Sequence, residues 1–160
     1  MIYEIHQCLT SEKENASDQV ADDPIEDHVV LDHLLREKGR FKVASEAGAE
    51  VRVFLERGNT LNIGDLLRSD CGKNISVRGA VESVAYAKTD DWEVFSKACY
   101  HLGNRHTKIE IGQLWLCITP DHVLQVMLES FGMTVSVEKR VFIPESGAYK
   151  RGGYGHHNDH

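Results

Sequence analysis

Histidine is the residue type whose placement in this sequence most directly indicates chemistry. His106 ends the stretch Gly103–His106, which follows a strong helical pattern, and the last five residues contain His156, His157 and His160. A neutral imidazole binds borderline metal ions such as nickel, copper and zinc, and protons compete with the metal for it. A histidine after a helix carries little information alone. Together with a terminal histidine cluster it predicts a protein that takes up a metal ion and releases it.

The four cysteines do not add a metal site. Cys8, Cys71, Cys99 and Cys117 are far apart in sequence, so the chain has neither a Cys-x-x-Cys pair nor the spacing of a disulfide framework. We therefore predict reduced thiols. Cys99 and Cys117 fall on the apolar faces of a helix and a strand, where a free cysteine packs as a small hydrophobe.

The composition is that of a globular protein. With 160 residues, 41% of them hydrophobic and 27% charged, the chain can bury a core as one domain or as two small ones. It contains no apolar run of the roughly 18 residues that a membrane helix needs. Met1–His6 lacks the basic and apolar regions of a secretory signal. We expect a cytoplasmic protein that does not enter a membrane.

The net charge of −7 comes mainly from one acidic segment near residues 12–27. This segment holds seven acidic residues, a single lysine and few large apolar side chains. Because it cannot repay the entropy of ordering, it is predicted to be a mobile insertion. The rest of the chain has no basic stripe with interleaved aromatic residues, so nucleic acid is not an expected partner. Lys38, Arg40 and Lys42 are interpreted as a solvated edge.

Residues 1–80 are predicted to form a small all-β domain. Val51–Leu55 and Ile75–Val81 alternate between apolar and other residues, as half-buried strands do. Turn residues at Arg57–Asn59 and Asn62–Asp65 lie between them. The pattern leaves two roles open for this domain: a packing module, or a docking surface for a partner protein.

Residues 81–149 contain two predicted helices. Asp90 and Glu93 have the spacing of a capping box, and Gly103 is interpreted as the residue just after the first helix. Before the second helix, Thr119 and Pro120 are interpreted as the N-cap and the first helical residue, and its apolar stripe ends at Gly132.

The predicted strands of this region complete a known order. They are Val81–Ala87, Ile109–Ile111, Leu114–Ile118, with a type II′ turn at Gly112-Gln113, and a last strand around Val135–Val137. Leu114–Ile118 is apolar on both faces and is predicted to be central. The order β-α-β-β-α-β is that of the ferredoxin-like fold, so the class of the whole chain is predicted as α+β.

Several short motifs of this chain occur together in one family. They are Phe54–Gly58, Gly64–Leu67, Ala98–His106, Asp121–Leu124 and Glu145–Tyr149, the last followed by a histidine-containing tail. With them the chain resembles the UreE family of urease accessory proteins, which carry nickel. The resemblance extends from about Val29 onward, and the acidic segment matches least.

The resemblance implies a function and a site. It implies a non-enzymatic chaperone with Ni(II) as cargo, a partner-docking β domain, and a homodimer in which the two copies of His106 meet. It also implies a urease accessory GTPase and the complex of urease apoprotein with accessory proteins as partners. Zn(II) or Cu(II) is expected to substitute for nickel in vitro, because the ligand types do not select nickel.

The remaining histidines receive separate predictions. The tail of residues 150–160 is predicted to be flexible and to add His156, His157 and His160 as ligands. His122 is a further candidate, although the position of its family partner holds Pro120, and it is interpreted as a helix-start residue first. His28 and His33 are predicted to be solvated.

Other functions were weighed against the carrier. A metal-dependent hydrolase needs a fixed set of three ligands, and no His-Glu-x-x-His or comparable spacing occurs. A ferredoxin-like binding module with incidental histidines, or a zinc- or copper-binding protein without a role in nickel delivery, stays open as an alternative.

Overall fold

The computed structural model of the protein describes residues 1–9 and 24–147. The chain divides into two compact units, of which the first contains Met1–Gly79 and the second is Ala80–Ser146. The tail of residues 150–160 and most of the acidic segment lie outside the described residues.

The first unit contains a six-stranded sheet. Its strands are β1 (Ile2–Leu9), β2 (Ile25–Leu31), β3 (Arg40–Ala44), β4 (Glu50–Phe54), β5 (Leu66–Ser69) and β6 (Asn74–Gly79), in the spatial order β2-β6-β5-β1-β4-β3. The predicted alternation is visible in β4, where Val51 and Val53 are fully buried while Arg52 points to the other face and pairs with Glu50. The core of this unit therefore lies on one face of the sheet.

Two features of this unit differ from the sequence prediction. The acidic segment was predicted to be mobile to its end, but its last residues belong to β2. There Asp27 is buried and accepts hydrogen bonds from the backbone N–H groups of His28 and Ala47, at 2.8 and 3.2 Å. Burial opposes ionisation of Asp27, but a hydrogen bond with the Ser45 side chain and these two backbone bonds hold its pKa below the usual value.

The second difference is a short helix, α1 (His33–Glu37), between β2 and β3. Asp32 is its N-cap and accepts a hydrogen bond from the N–H of Leu35 at 2.8 Å. The helix buries His33, so the prediction that His33 is solvated is wrong. A helix of five residues is too short to show a period of 3.6 in the sequence.

The second unit confirms the ferredoxin-like prediction and, with it, the α+β class. Its elements are β7 (Val81–Lys88), α2 (Trp92–Asn104), β8 (Glu110–Ile111), β9 (Trp115–Ile118), α3 (His122–Ser130) and β10 (Thr134–Val141), and the sheet order is β10-β7-β9-β8. Strand β9 pairs with β7 and β8 and is central, as predicted. Leu102, Leu116 and Leu128 are fully buried and join both helices to the sheet in one core.

Both helices of this unit begin later than predicted. The N-cap of α2 is Asp91, and its carboxylate accepts hydrogen bonds from Glu93 and Val94. The N-cap of α3 is Asp121, which accepts from the N–H of Leu124 at 3.0 Å. Pro120 therefore precedes the helix instead of starting it, since a carboxylate is a stronger cap than a threonine hydroxyl.

The hairpin between β8 and β9 turns one residue later than predicted. Gln113 and Leu114 form its tip, Leu114 has a φ of 61°, and the N–H of Gly112 donates to the carbonyl of Trp115 at 2.9 Å. A Cβ at Gly112 would overlap the Trp115 indole. Glycine is thus required here by the ring that covers it, and not by the turn type.

No helix within residues 1–9 and 24–147 combines the length and apolar character needed to cross a membrane.

Candidate metal site

His106 lies directly after α2 and closes its last turn. The helix continues through Gly103 to Asn104, and Arg105 is the C-cap. The N–H of His106 donates to the carbonyl of Gly103 at 3.0 Å, and the N–H of Thr107 donates to that of Leu102 at 3.1 Å. These two bonds define a Schellman motif with His106 at C′. Gly103 is therefore a helical residue, and its assignment to C′ was wrong.

The backbone of His106 adopts a conformation that favours glycine. Its φ is 56°, in the left-handed region, which costs an L-residue roughly 1–2 kcal/mol. Helix α3 ends in the same motif, but there Gly132 takes the left-handed position with a φ of 104°. The side chain of His106 is exposed, so packing does not explain the choice of histidine. A strained, exposed imidazole is a candidate functional group.

An aromatic cluster lies at the same ends of the two helices. The ring of His101, in the last turn of α2, is 5.3 Å from that of Tyr100 and 5.1 Å from that of Phe131 at the end of α3. Tyr100 is 69% exposed. His101 has packing partners that account for it without a metal. The surface near His106 thus combines an available imidazole with aromatic rings.

The other predicted ligands are not assembled around His106 in the described chain. His122 is the first residue of α3 and is exposed, at the helix end where the macrodipole disfavours a bound cation. Within residues 1–9 and 24–147, no three His, Cys, Asp or Glu side chains form a group that could hold a metal. His156, His157 and His160 lie outside the described residues. His106 and His122 therefore remain predicted ligands, and neither has a complete set of donors within the described chain.

Three of the four thiols have raised pKa values. Burial raises the pKa of Cys117 to about 11, and burial with the neighbouring Asp65 carboxylate raises the pKa of Cys8 to about 12. Burial also raises the pKa of Cys99. Because their pKa values are raised, these side chains are neutral near neutral pH and act as small apolar groups. The thiolate, which is the form that binds a metal, is therefore scarce at these positions. Cys117 packs with Val84 and Phe142 in a buried cluster.

A strap of residues 142–146, which the sequence analysis did not anticipate, leads from β10 towards the tail. The N–H of Ile143 donates to Oε1 of Glu110 at 3.0 Å, and the N–H of Glu145 donates to the carbonyl of Ile109 at 2.6 Å. Ile109 is three residues after His106. The strap therefore brings the chain that continues into the tail close to the His106 loop. Its bonds join positions more than 30 residues apart, which local patterns do not reveal.

Comparison with known proteins agrees with this architecture of a β domain followed by a ferredoxin-like domain. Residues 5–80 match the model of the N-terminal domain of the urease accessory protein UreE, and residues 82–160 match the model of its C-terminal domain. The chain is thus of the class of two-domain urease accessory proteins.

Curated relatives carry the same name. The chain is 58% identical over 135 residues to the urease accessory protein UreE of Marinomonas sp. (strain MWYL1), covering 84% of this chain and 91% of that protein. It is 48% identical over 132 residues to UreE of Alteromonas mediterranea, covering 82% and 86%. UreE of Psychromonas ingrahamii is 45% identical over 138 residues, with 86% and 91% covered. The chain belongs to the UreE urease accessory protein family.

Proposed function

We propose that this protein is a nickel metallochaperone, which binds Ni(II) as cargo and delivers it for assembly of the urease active site. The observation that carries the proposal is His106, an exposed imidazole held in a left-handed conformation where the same motif elsewhere uses Gly132. Membership of a family of urease accessory proteins supports the destination of the metal. The family name describes assistance to an enzyme, and we propose no catalytic role.

The cargo site is formed between two copies of the chain. One imidazole is a weak site for a divalent ion, whereas a twofold axis doubles the number of donors. The helix layer that carries His106 exposes apolar side chains suited to such an interface: Tyr100 at 69%, Val123 at 66% and Val126 at 51%. We propose a homodimer through the ferredoxin-like domains with His106 of each copy at the interface.

The tail supplies additional nitrogen donors. His156 lies eleven positions after Glu145 in sequence, and eleven steps of extended chain span about 36–40 Å. Because Glu145 is bonded next to the His106 loop, this reach includes His106 of the same chain. His156, His157 and His160 are thus proposed to complete and then release the coordination of the ion.

The protein is proposed to act in the cytoplasm together with a urease accessory GTPase and the urease apoprotein in its accessory complex. The N-terminal β domain is the proposed docking surface for such partners. Zn(II) and Cu(II) are proposed to occupy the same imidazoles in vitro, since these donors do not exclude them.

Equilibrium dialysis against nickel, combined with mass measurement in solution, tests this function. We expect a dimer that holds at least one nickel between its subunits and loses that ion in His106→Ala. Truncation after Tyr149 should retain the interface ion and lower the total nickel bound. A monomer that binds one nickel per chain tightly, or a His106→Ala variant that binds as the parent does, would contradict the shared site.

A further inference from the structure

A cleft in the first unit has no part in the proposed metal function. It has a volume of about 340 Å³ and lies where the end of α1 meets the segment that follows β4. Its lining residues are Glu37, Lys38, Gly39, Arg40, Arg57 and Gly58. Three of the six are cations and one is an acid. The cleft therefore carries a local excess of positive charge on a chain whose net charge is −7.

The three cations of the cleft differ from the other basic residues of this unit. Elsewhere in the described part of the sheet, Lys42 and Arg52 pair with Glu50, Lys73 pairs with Glu26, and Arg78 pairs with Glu46. Lys38, Arg40 and Arg57 have no hydrogen bond or ion pair from their side chains to any residue within 1–9 and 24–147. Lys38, Arg40 and Lys42 were predicted to form one solvated edge. In the structure, Lys42 is paired with Glu50, whereas Lys38 and Arg40 line the cleft.

The backbone holds the two sides of the cleft together. The N–H of Leu55 donates to the carbonyl of Gly39 at 2.7 Å, so the segment after β4 stays bonded to the residue before β3. A Cβ at position 39 would lie 2.8 Å from the carbonyl oxygen of Leu55, which excludes larger residues. Gly58 has a φ of 95° and turns the chain at the other side. The absence of a side chain thus lets the two segments approach closely at Gly39 and lets the chain turn at Gly58.

We propose that this cleft binds a phosphate group. A single carboxylate would be balanced by one cation, whereas a phosphate monoester carries a charge of about −1.5 to −2 at neutral pH on three acceptor oxygens. The guanidinium groups of Arg40 and Arg57 are planar forks that bind such oxygens in pairs, and Lys38 adds a third cation. Glu37 reduces the excess charge of the lining but leaves it positive. The site is independent of His106 and needs no metal.

Amide NMR of the metal-free, full-length protein tests the proposal with inorganic phosphate and pyrophosphate at constant ionic strength. We expect saturable shifts of the Gly39 and Gly58 amides, with pyrophosphate binding more tightly. Arg57→Gln and Arg40→Gln should each weaken binding about tenfold or more, the loss expected for hydrogen bonds to a charged group. Lys42→Gln is the matched control. Lys42 lies on β3 as Arg40 does, but it is paired with Glu50 and does not line the cleft. Its binding should equal that of the parent.

A nucleoside 5′-monophosphate distinguishes the sources of the group. Binding tighter than that of phosphate indicates a larger phosphorylated molecule as the ligand, and equal binding indicates the phosphate alone; both support the site. The proposal would be overturned if sodium chloride at the same ionic strength gave the same shifts, or if the shifts were unchanged in both arginine variants. Two further results would overturn the proposal. One is that a tetraglutamate peptide binds more tightly than pyrophosphate, and the other is that deletion of residues 12–23 causes the same shifts without phosphate. In either case the ligand of the cleft would be an acidic peptide segment.

Discussion

At the scale of single residues, the backbone of His106 is under a strain that its neighbours do not relieve. The Schellman bonds at the end of α2 require a left-handed residue at this position, and α3 meets the same requirement with Gly132. Glycine at position 106 would satisfy the helix end without the steric cost that a Cβ brings. Histidine at this position therefore lowers the stability of the fold while it offers an exposed imidazole.

Two substitutions of His106 separate strain from ligation. His106→Gly should raise the free energy of unfolding by about 1 kcal/mol, because the left-handed conformation becomes unstrained, while His106→Ala should change it little. Both should lose the shared nickel ion. Urea unfolding and equilibrium dialysis on the same samples give both quantities. A glycine variant less stable than the parent would refute the strain, and one with undiminished nickel affinity would exclude His106 as a ligand.

Cys71 should be the most reactive thiol of the chain. A hydrogen bond from Ser69 lowers the pKa of its exposed thiol, whereas burial raises the pKa values of Cys8, Cys99 and Cys117. The lowered pKa gives Cys71 a larger thiolate fraction at pH 7–8, and the thiolate is the nucleophile. Timed alkylation of the native protein followed by peptide mass analysis should show Cys71 labelled first. Ser69→Ala should slow this labelling; equal rates at all four cysteines would contradict the assignment.

At the scale of elements, the strap of residues 142–146 depends on a buried carboxylate in β8. Glu110 is 9% exposed, and its Oε2 lies 3.6 Å from a guanidinium nitrogen of Arg140. That guanidinium in turn lies 4.6 Å from the centre of the Trp115 ring. Glu110 thereby connects the strap, β10 and the central strand β9.

Glu110→Ala should loosen this strap. The variant leaves the N–H of Ile143 without its acceptor and Arg140 without its carboxylate, so we expect a loss of about 1–3 kcal/mol in unfolding free energy. Hydrogen exchange at the Ile143 and Glu145 amides should accelerate. Glu110→Gln is the control, since its amide oxygen can still accept from Ile143, and exchange should change far less. Unaltered exchange in the alanine variant would show that the strap is held by other contacts.

At the scale of the whole molecule, the proposed dimer depends on the exposed aromatic surface beside His106. Tyr100→Glu places a charge in the proposed interface, so sedimentation should show monomers, and the nickel bound per chain should fall although His106 is intact. Trp92→Glu makes the same change of charge at the opposite end of α2, where the tryptophan is also exposed, and should remain dimeric. A dimeric Tyr100→Glu variant with full nickel binding would place the interface elsewhere.

The sequence by itself determined the class of the fold and the order of the elements in the second unit. Apolar residues repeat with a period of two in β4 and of about 3.6 in α2 and α3, and these periods arise from the geometry of the chain itself. The central position of β9 followed from its apolar residues on both faces. The family also followed from short motifs such as Ala98–His106, because their side chains stand close together in sequence.

The tertiary structure decided the conformation of the candidate sites. Trp115 covers Gly112 in the hairpin, and the helical position of Gly103 leaves His106 at C′. Glu145 joins the loop after His106, and Arg57 lines the same cleft as Arg40 because β3 and β4 are paired. The position of His106 depends on the end of a packed helix, and the placements of Glu145 and Arg57 depend on contacts between segments more distant in sequence. Local periodicity in the sequence cannot predict such contacts or helix ends, because it shows which face a residue occupies and not what packs against that face.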